Sequence, residues 1–86
     1  LAYKVRWHED ILKDLQTLDK EVARKVIDRV TRYLVQDPLK LGKPLKENLA
    51  GLFRYRFGDY RIMYIVDIPG EMITILKVRH RKDIYR

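Results

Sequence analysis

The hydrophobic period of this chain switches from helical to strand-like near its middle, which excludes most of the folds open to a small domain. Before Asp37-Pro38 the apolar residues recur at helical spacing. Ile11, Leu12, Leu15 and Leu18 make one stripe, and Val22, Ala23, Val26, Ile27, Val30, Tyr33 and Leu34 make a longer one. Glu9, Asp10 and Asp14 lie toward the start of the first stripe, where the helix dipole favours acids, and Asp19 is placed to cap the second. Asp37-Pro38 ends that helix, because the residue before a proline is driven out of the helical region. From Gly51 onward the residues alternate. Leu52 to Phe57, Tyr60 to Val66 and Met72 to Arg79 read as strands, divided by the two-residue hairpin signal Gly58-Asp59 and by Pro69-Gly70. A short strand also opens the chain, where Tyr3, Val5 and Trp7 alternate with Lys4, Arg6 and His8.

The predicted order is β-α-α-β-β-β, an α+β fold with a helical hairpin packed on one face of a mainly antiparallel, twisted, four-stranded sheet. Residues 38–50 carry two prolines and Gly42 but keep Leu39, Leu41, Leu45 and Leu49, which predicts a loop pinned onto the core rather than a linker. At 86 residues the chain suffices for one two-layer core, so residues 1–86 form a single domain whose active site must lie on open surface. Two helices cover only one face of such a sheet. The other is left to solvent or to a ligand.

Composition removes several chemistries. The chain has no cysteine and no serine, which excludes disulfides, thiolate sites and Ser-His-Asp catalysis, and the missing cysteine fits a cytoplasmic protein. His8 and His80 stand alone, and no HExxH, DxD or paired-carboxylate spacing appears, so no metal and no cofactor are expected. Leu1 to Trp7 is too short and too polar for a signal sequence, and no apolar run is long enough to cross a membrane. Against that background, 19 Lys and Arg face 12 Asp and Glu, giving a net charge of +7 and attraction to polyanions.

The cations are not evenly spread. Arg54 and Arg56 flank Tyr55, Arg61 follows Asp59-Tyr60, and Arg79, His80 and Arg81 precede a tail containing Lys82 and Tyr85. Alternation puts Arg54 and Arg56 on one strand face and Arg79 and Arg81 on one face of another, with Lys77 in the same alternation. Burying several guanidinium groups without partners is prohibitive, so they point outward, where a phosphate backbone suits them. Arginines can assist RNA cleavage by its own 2′-hydroxyl without a metal, since charge grows on the phosphate oxygens in the transition state. The bland alternative is a solvated face crossed by ordinary ion pairs. Tyr60 and Tyr64 read as sheet packing, whereas Tyr85 has few apolar neighbours and is free to stack on a base or to dock back on the sheet.

The run from Leu52 to Val66, containing Gly58-Asp59-Tyr60-Arg61, and the run from Ile75 to Tyr85, containing His80-Arg81 and Tyr85, closely resemble the RelE/ParE toxin superfamily, with the ending similar to the RelE branch. The resemblance spans nearly the whole chain. It implies a toxin of a type II toxin-antitoxin pair that enters the ribosomal A site and cleaves mRNA, leaving a cyclic phosphate and a 5′-hydroxyl. It implies that Arg61 stabilises the transition-state phosphate, that Arg81 or Arg79 serves the leaving 5′-oxygen, and that Tyr85 orients the nucleotide. Arg54 and Arg56 would position phosphates, with Lys77 and Lys82 as further substrate contacts. The well-known bacterial member has lysines where this chain has Arg54 and Arg56. Arginine keeps its proton, so no general base is assigned to either. The partners implied are the ribosome, mRNA and a small RelB-like antitoxin, in a complex that is heterotetrameric or larger and that binds operator DNA through the antitoxin. Two rivals share the fold or the charge: a ParE-like inhibitor of DNA gyrase with no nuclease activity, and a non-catalytic RNA-binding or ribosome-associated protein.

Overall fold

A computed structural model describes residues 2–83. The elements run β1 (Lys4–Trp7), α1 (Ile11–Gln16), α2 (Lys20–Arg32), α3 (Pro38–Leu41), β2 (Lys43–Pro44), β3 (Phe53–Phe57), β4 (Tyr60–Asp67) and β5 (Met72–His80), with 3-10 turns at Leu34–Gln36 and Glu47–Leu49. The sheet order is β1-β5-β4-β3-β2. β1 lies parallel to β5, and every other neighbouring pair is antiparallel. The α+β expectation therefore holds, with five strands in place of four. The extra one is the two-residue β2, too short and too proline-rich to show a period. The segment expected to be a pinned loop is indeed held on the body, but it contains α3 as well as β2.

One face of the sheet makes the core. Val26 and Val30 of α2 and Leu34 beyond it are fully buried against Ile62, Tyr64, Ile73 and Ile75, all at 0% exposure. Burying each such aliphatic side chain contributes about 1.5–3 kcal/mol, so this layer holds the helices down. The buried stripes are narrower than the sequence period predicts. Leu12 is 61% exposed, Ile27 40% and Tyr33 44%, and Leu12 and Ile27 line an open groove between α1 and α2 instead of facing the sheet. Asp19 occupies the N-cap position of α2, but its side chain makes no capping hydrogen bond.

Two backbone details place the functional surface. The β3–β4 hairpin closes at Gly58-Asp59, with Phe57 facing Tyr60 and Gly58 at φ 58°, a left-handed conformation that glycine reaches without a Cβ penalty. Tyr64, fully buried, donates its hydroxyl to the Pro38 carbonyl at 2.6 Å, and burial pushes its proton affinity up, so it stays a donor. A Cβ at Gly42 would collide with that hydroxyl, so the α3–β2 connection can lie this close to the core only with glycine there.

Candidate functional site

The register of the sheet assembles the cations on the face opposite the helices. Residues paired across strands share a face, and Arg56 pairs with Arg61, which pairs with Arg79. The next row along runs Lys43, Arg54, Met63 and Lys77 through β2, β3, β4 and β5. Met63 is only 4% exposed although it lies on the face away from the helices, flanked in register by the long side chains of Arg54 and Lys77. The cations thus stand on an apolar floor.

Arg81 joins them from the end of β5. Its backbone N–H donates to the Asp59 carbonyl at 2.8 Å, which ties the chain after β5 to the hairpin turn that precedes Arg61. The Arg61 guanidinium folds over that turn and donates to the Gly58 and Tyr60 carbonyls, both at 3.0 Å. Its affinity for a proton is lowered, first by loss of solvent and then by the positive charges of Arg56, Arg54 and Arg81, with Asp59 opposing. Arg54, Arg56 and Arg81 therefore lie close enough for their positive charges to act on Arg61. A dense positive surface of this kind favours an anion with several oxygens.

Arg79 shares the register of Arg61 but has another engagement. Asp14 on α1 is 9% exposed, accepts the Val78 N–H at 3.0 Å, and accepts Arg79 Nε at 3.3 Å and Nη2 at 3.2 Å. β1 pairs with β5 only as far as Ile75, and just beyond it His8 donates to the Ile75 carbonyl. At Val78 a carboxylate takes over where a strand would otherwise have continued the ladder. Sequence reading placed Asp14 near a helix start and gave it no link to β5, since a contact between residues 64 apart leaves no local pattern.

The remaining predicted residues are placed unevenly. Lys77 lies on the cationic face, and Lys82 is exposed in the turn after β5, its N–H bonded to His80 Nδ1 at 3.2 Å. His80 is on the helix side of the sheet, edge-on to Tyr60 with centroids 5.6 Å apart. Tyr85 lies outside the described residues. Lys40 and Lys43 were not singled out from sequence, and only the pairing of β2 with β3 brings them beside Arg54 and Arg56. Among the described residues no cluster of three or more His, Asp or Glu could hold a metal ion, and no helix is long and apolar enough to cross a membrane.

Comparison with known proteins gives consistent matches. Residues 5–85 match the family described as ParE toxin of type II toxin-antitoxin system, parDE. Toxin RelG of Mycobacterium tuberculosis is 38% identical over 86 residues, covering 100% of this chain and 99% of that protein. The crystal structure of the toxin-antitoxin complex RelBE2 from the same organism superposes with a TM-score of 0.90 at 36% identity, covering 94% of this chain and 100% of that one. The archaeal RelE-RelB complex from Pyrococcus horikoshii gives a TM-score of 0.73 at 29% identity, covering 96% and 99%.

Proposed function

Since the chain belongs to the RelE/ParE toxin superfamily, in its RelE-like branch, and is thus a type II toxin, we propose that its arginine corner is a ribosome-dependent mRNA endonuclease site. The observation that carries this reading is the convergence of Arg54, Arg56, Arg61 and Arg81 around the β3–β4 hairpin. In the proposed reaction the 2′-oxygen attacks the adjacent phosphorus, the bond from phosphorus to the 5′-oxygen breaks, and the departing oxygen takes a proton. A cyclic phosphate and a 5′-hydroxyl result. Arg61, held over the hairpin turn and flanked by the charges of its neighbours, stabilises the charge that grows on the non-bridging oxygens. Arg81 neutralises the leaving 5′-oxygen, and Arg54 and Arg56 position the phosphate. Removing one preset donor of this kind costs about 10²–10³ in rate. Between the two candidates for the leaving-group side, the Asp14 pairing favours Arg81, because Arg79 is already committed to the fold. Tyr85 is assigned to the nucleotide as the family resemblance implies.

The partner expected is a RelB-like antitoxin, acidic enough to oppose the toxin's +7, in a heterotetrameric or larger complex formed in the cytoplasm. The two matched structures, each a complex of a toxin with its antitoxin, support the pairing. One observation favours a second reading. The matched family is described as ParE toxin, and the ParE-like alternative that the resemblance implies is gyrase inhibition without RNA cleavage. Primer extension on mRNA translated by programmed ribosomes separates the two. Cleavage within the A-site codon supports the nuclease, whereas intact mRNA together with trapped gyrase-DNA adducts refutes it.

A further inference from the structure

The cationic surface does not stop at the arginine corner. Lys40 at the end of α3 and Lys43 on β2 line a groove of about 410 Å³ with Leu41, Gly42, Arg54 and Arg56, and among the described residues lining it none is acidic. Arg54 and Arg56 belong to both surfaces, which makes the groove continuous with the corner around Arg61. Its wall is rigid. The Tyr64 hydroxyl holds Pro38 and the absent Cβ at Gly42 admits that hydroxyl, so both lysines project from a segment fastened to the core. Lys43 faces Arg54 across the ladder, two strands away from Arg61. With strands spaced about 4.8 Å and the Lys43 row offset from the Arg61 row by two residues of about 3.4 Å each, their backbone positions stand about 12 Å apart, a span suited to a short run of nucleotides rather than a single phosphate.

We propose that this groove is a second phosphate subsite, in which Lys40 and Lys43 hold the backbone of single-stranded RNA flanking the linkage gripped at the arginine corner. The inference rests on the nuclease reading and adds to it a direction for the substrate strand: away from the hairpin and over β2. Leu41 supplies an apolar surface between the two cations, where a sugar or base edge can lie. No base-specific contact is implied, so the subsite raises affinity without selecting sequence.

The test uses the full chain and a labelled single-stranded RNA oligonucleotide carrying 2′-O-methyl sugars, which keep the RNA backbone but block attack by the 2′-oxygen. Affinity is measured across a range of salt concentrations for the wild type, for Lys40→Ala/Lys43→Ala, and for a matched-charge control, Lys20→Ala/Lys25→Ala, on the helical side. Each lost phosphate contact lowers the slope of log affinity against log salt by about 0.7, so the groove variant is expected to lose about 1.4 and the control to keep the wild-type slope. Lys40→Arg/Lys43→Arg should restore it, which separates lost contacts from damaged folding. An unchanged slope, or the same loss in the control, overturns the subsite. Weakened binding to ribosomes with unchanged binding to the oligonucleotide also overturns it, since the phosphates would then be ribosomal. If the wild type cleaves mRNA on ribosomes while the groove variant keeps its slope, this subsite alone fails. A wild type that neither cleaves mRNA on programmed ribosomes nor binds the oligonucleotide overturns the nuclease reading with it.

Discussion

Replacing Asp14 by alanine is the most informative single perturbation of this fold, because one side chain there serves three donors. The carboxylate accepts the Val78 amide and two nitrogens of Arg79, and it sits 9% exposed between α1 and β5. Asp14→Ala leaves the Val78 N–H buried without an acceptor, at about 1–3 kcal/mol. The pairing with Arg79, whose side chain keeps 34% exposure, adds only about 0.5–1 kcal/mol, as expected of a pair partly in contact with water. The total is about 3 kcal/mol, and for a domain of this size that lowers Tm by about 12–24 °C. Asp14→Asn keeps an acceptor for Val78 and should cost about 1 kcal/mol. Thermal unfolding followed by circular dichroism measures both, and a double-mutant cycle with Arg79→Ala should return a coupling of about 1 kcal/mol. Hydrogen exchange at the Val78 amide should accelerate in Asp14→Ala and not in Arg79→Ala. Equal melting temperatures for Asp14→Ala and the wild type, or equal losses for the alanine and asparagine variants, would show that the carboxylate does not hold the strand.

Other expectations follow from the same contacts. Tyr64→Phe removes the bond to Pro38 and should cost about 1–2 kcal/mol by chemical denaturation, whereas Gly42→Ala should cost more, because the ring cannot yield; a neutral Gly42→Ala would contradict the close packing. Arg61→Ala and Arg81→Ala should each relieve growth arrest on expression while melting within a few degrees of the wild type, and full toxicity in both would remove them from the site. Tyr85→Ala should reduce mRNA cleavage and Tyr85→Phe much less if stacking is its contribution; equal losses would point to the hydroxyl. Raising salt from about 20 mM to about 300 mM should raise the Tm of the wild type by screening the arginine cluster, and should do so less for Arg61→Ala.

Sequence disclosed the parts of this molecule that depend on local period and turn chemistry. Gly58-Asp59 marked the hairpin correctly, and alternation placed Arg54 and Arg56 on one face, because both rules operate within a few residues. The strand register that aligns Arg56 with Arg61 follows almost directly from that two-residue turn. What escaped was set by distance along the chain. β2 has no pattern of its own and exists because Lys43 and Pro44 meet Arg54 and Phe53. Arg79 and Arg81 were indistinguishable by spacing, since their difference lies in Asp14, which approaches one of them from α1. The apolar floor at Met63 was hidden for a similar reason. Its burial comes from neighbouring strands, and nothing in the alternation of β4 separates it from a solvent-facing residue.

The parallel pairing of β1 with β5 joins the first strand of the chain to the last. During synthesis β1 emerges early and finds no companion until Met72–His80 have also left the exit tunnel, so the sheet cannot close on a partly made chain. Arg81, which follows β5, reaches the hairpin only after that closure. The cationic corner is thus a late product of folding: its last member is set in place only once the two strands most distant in sequence have found each other.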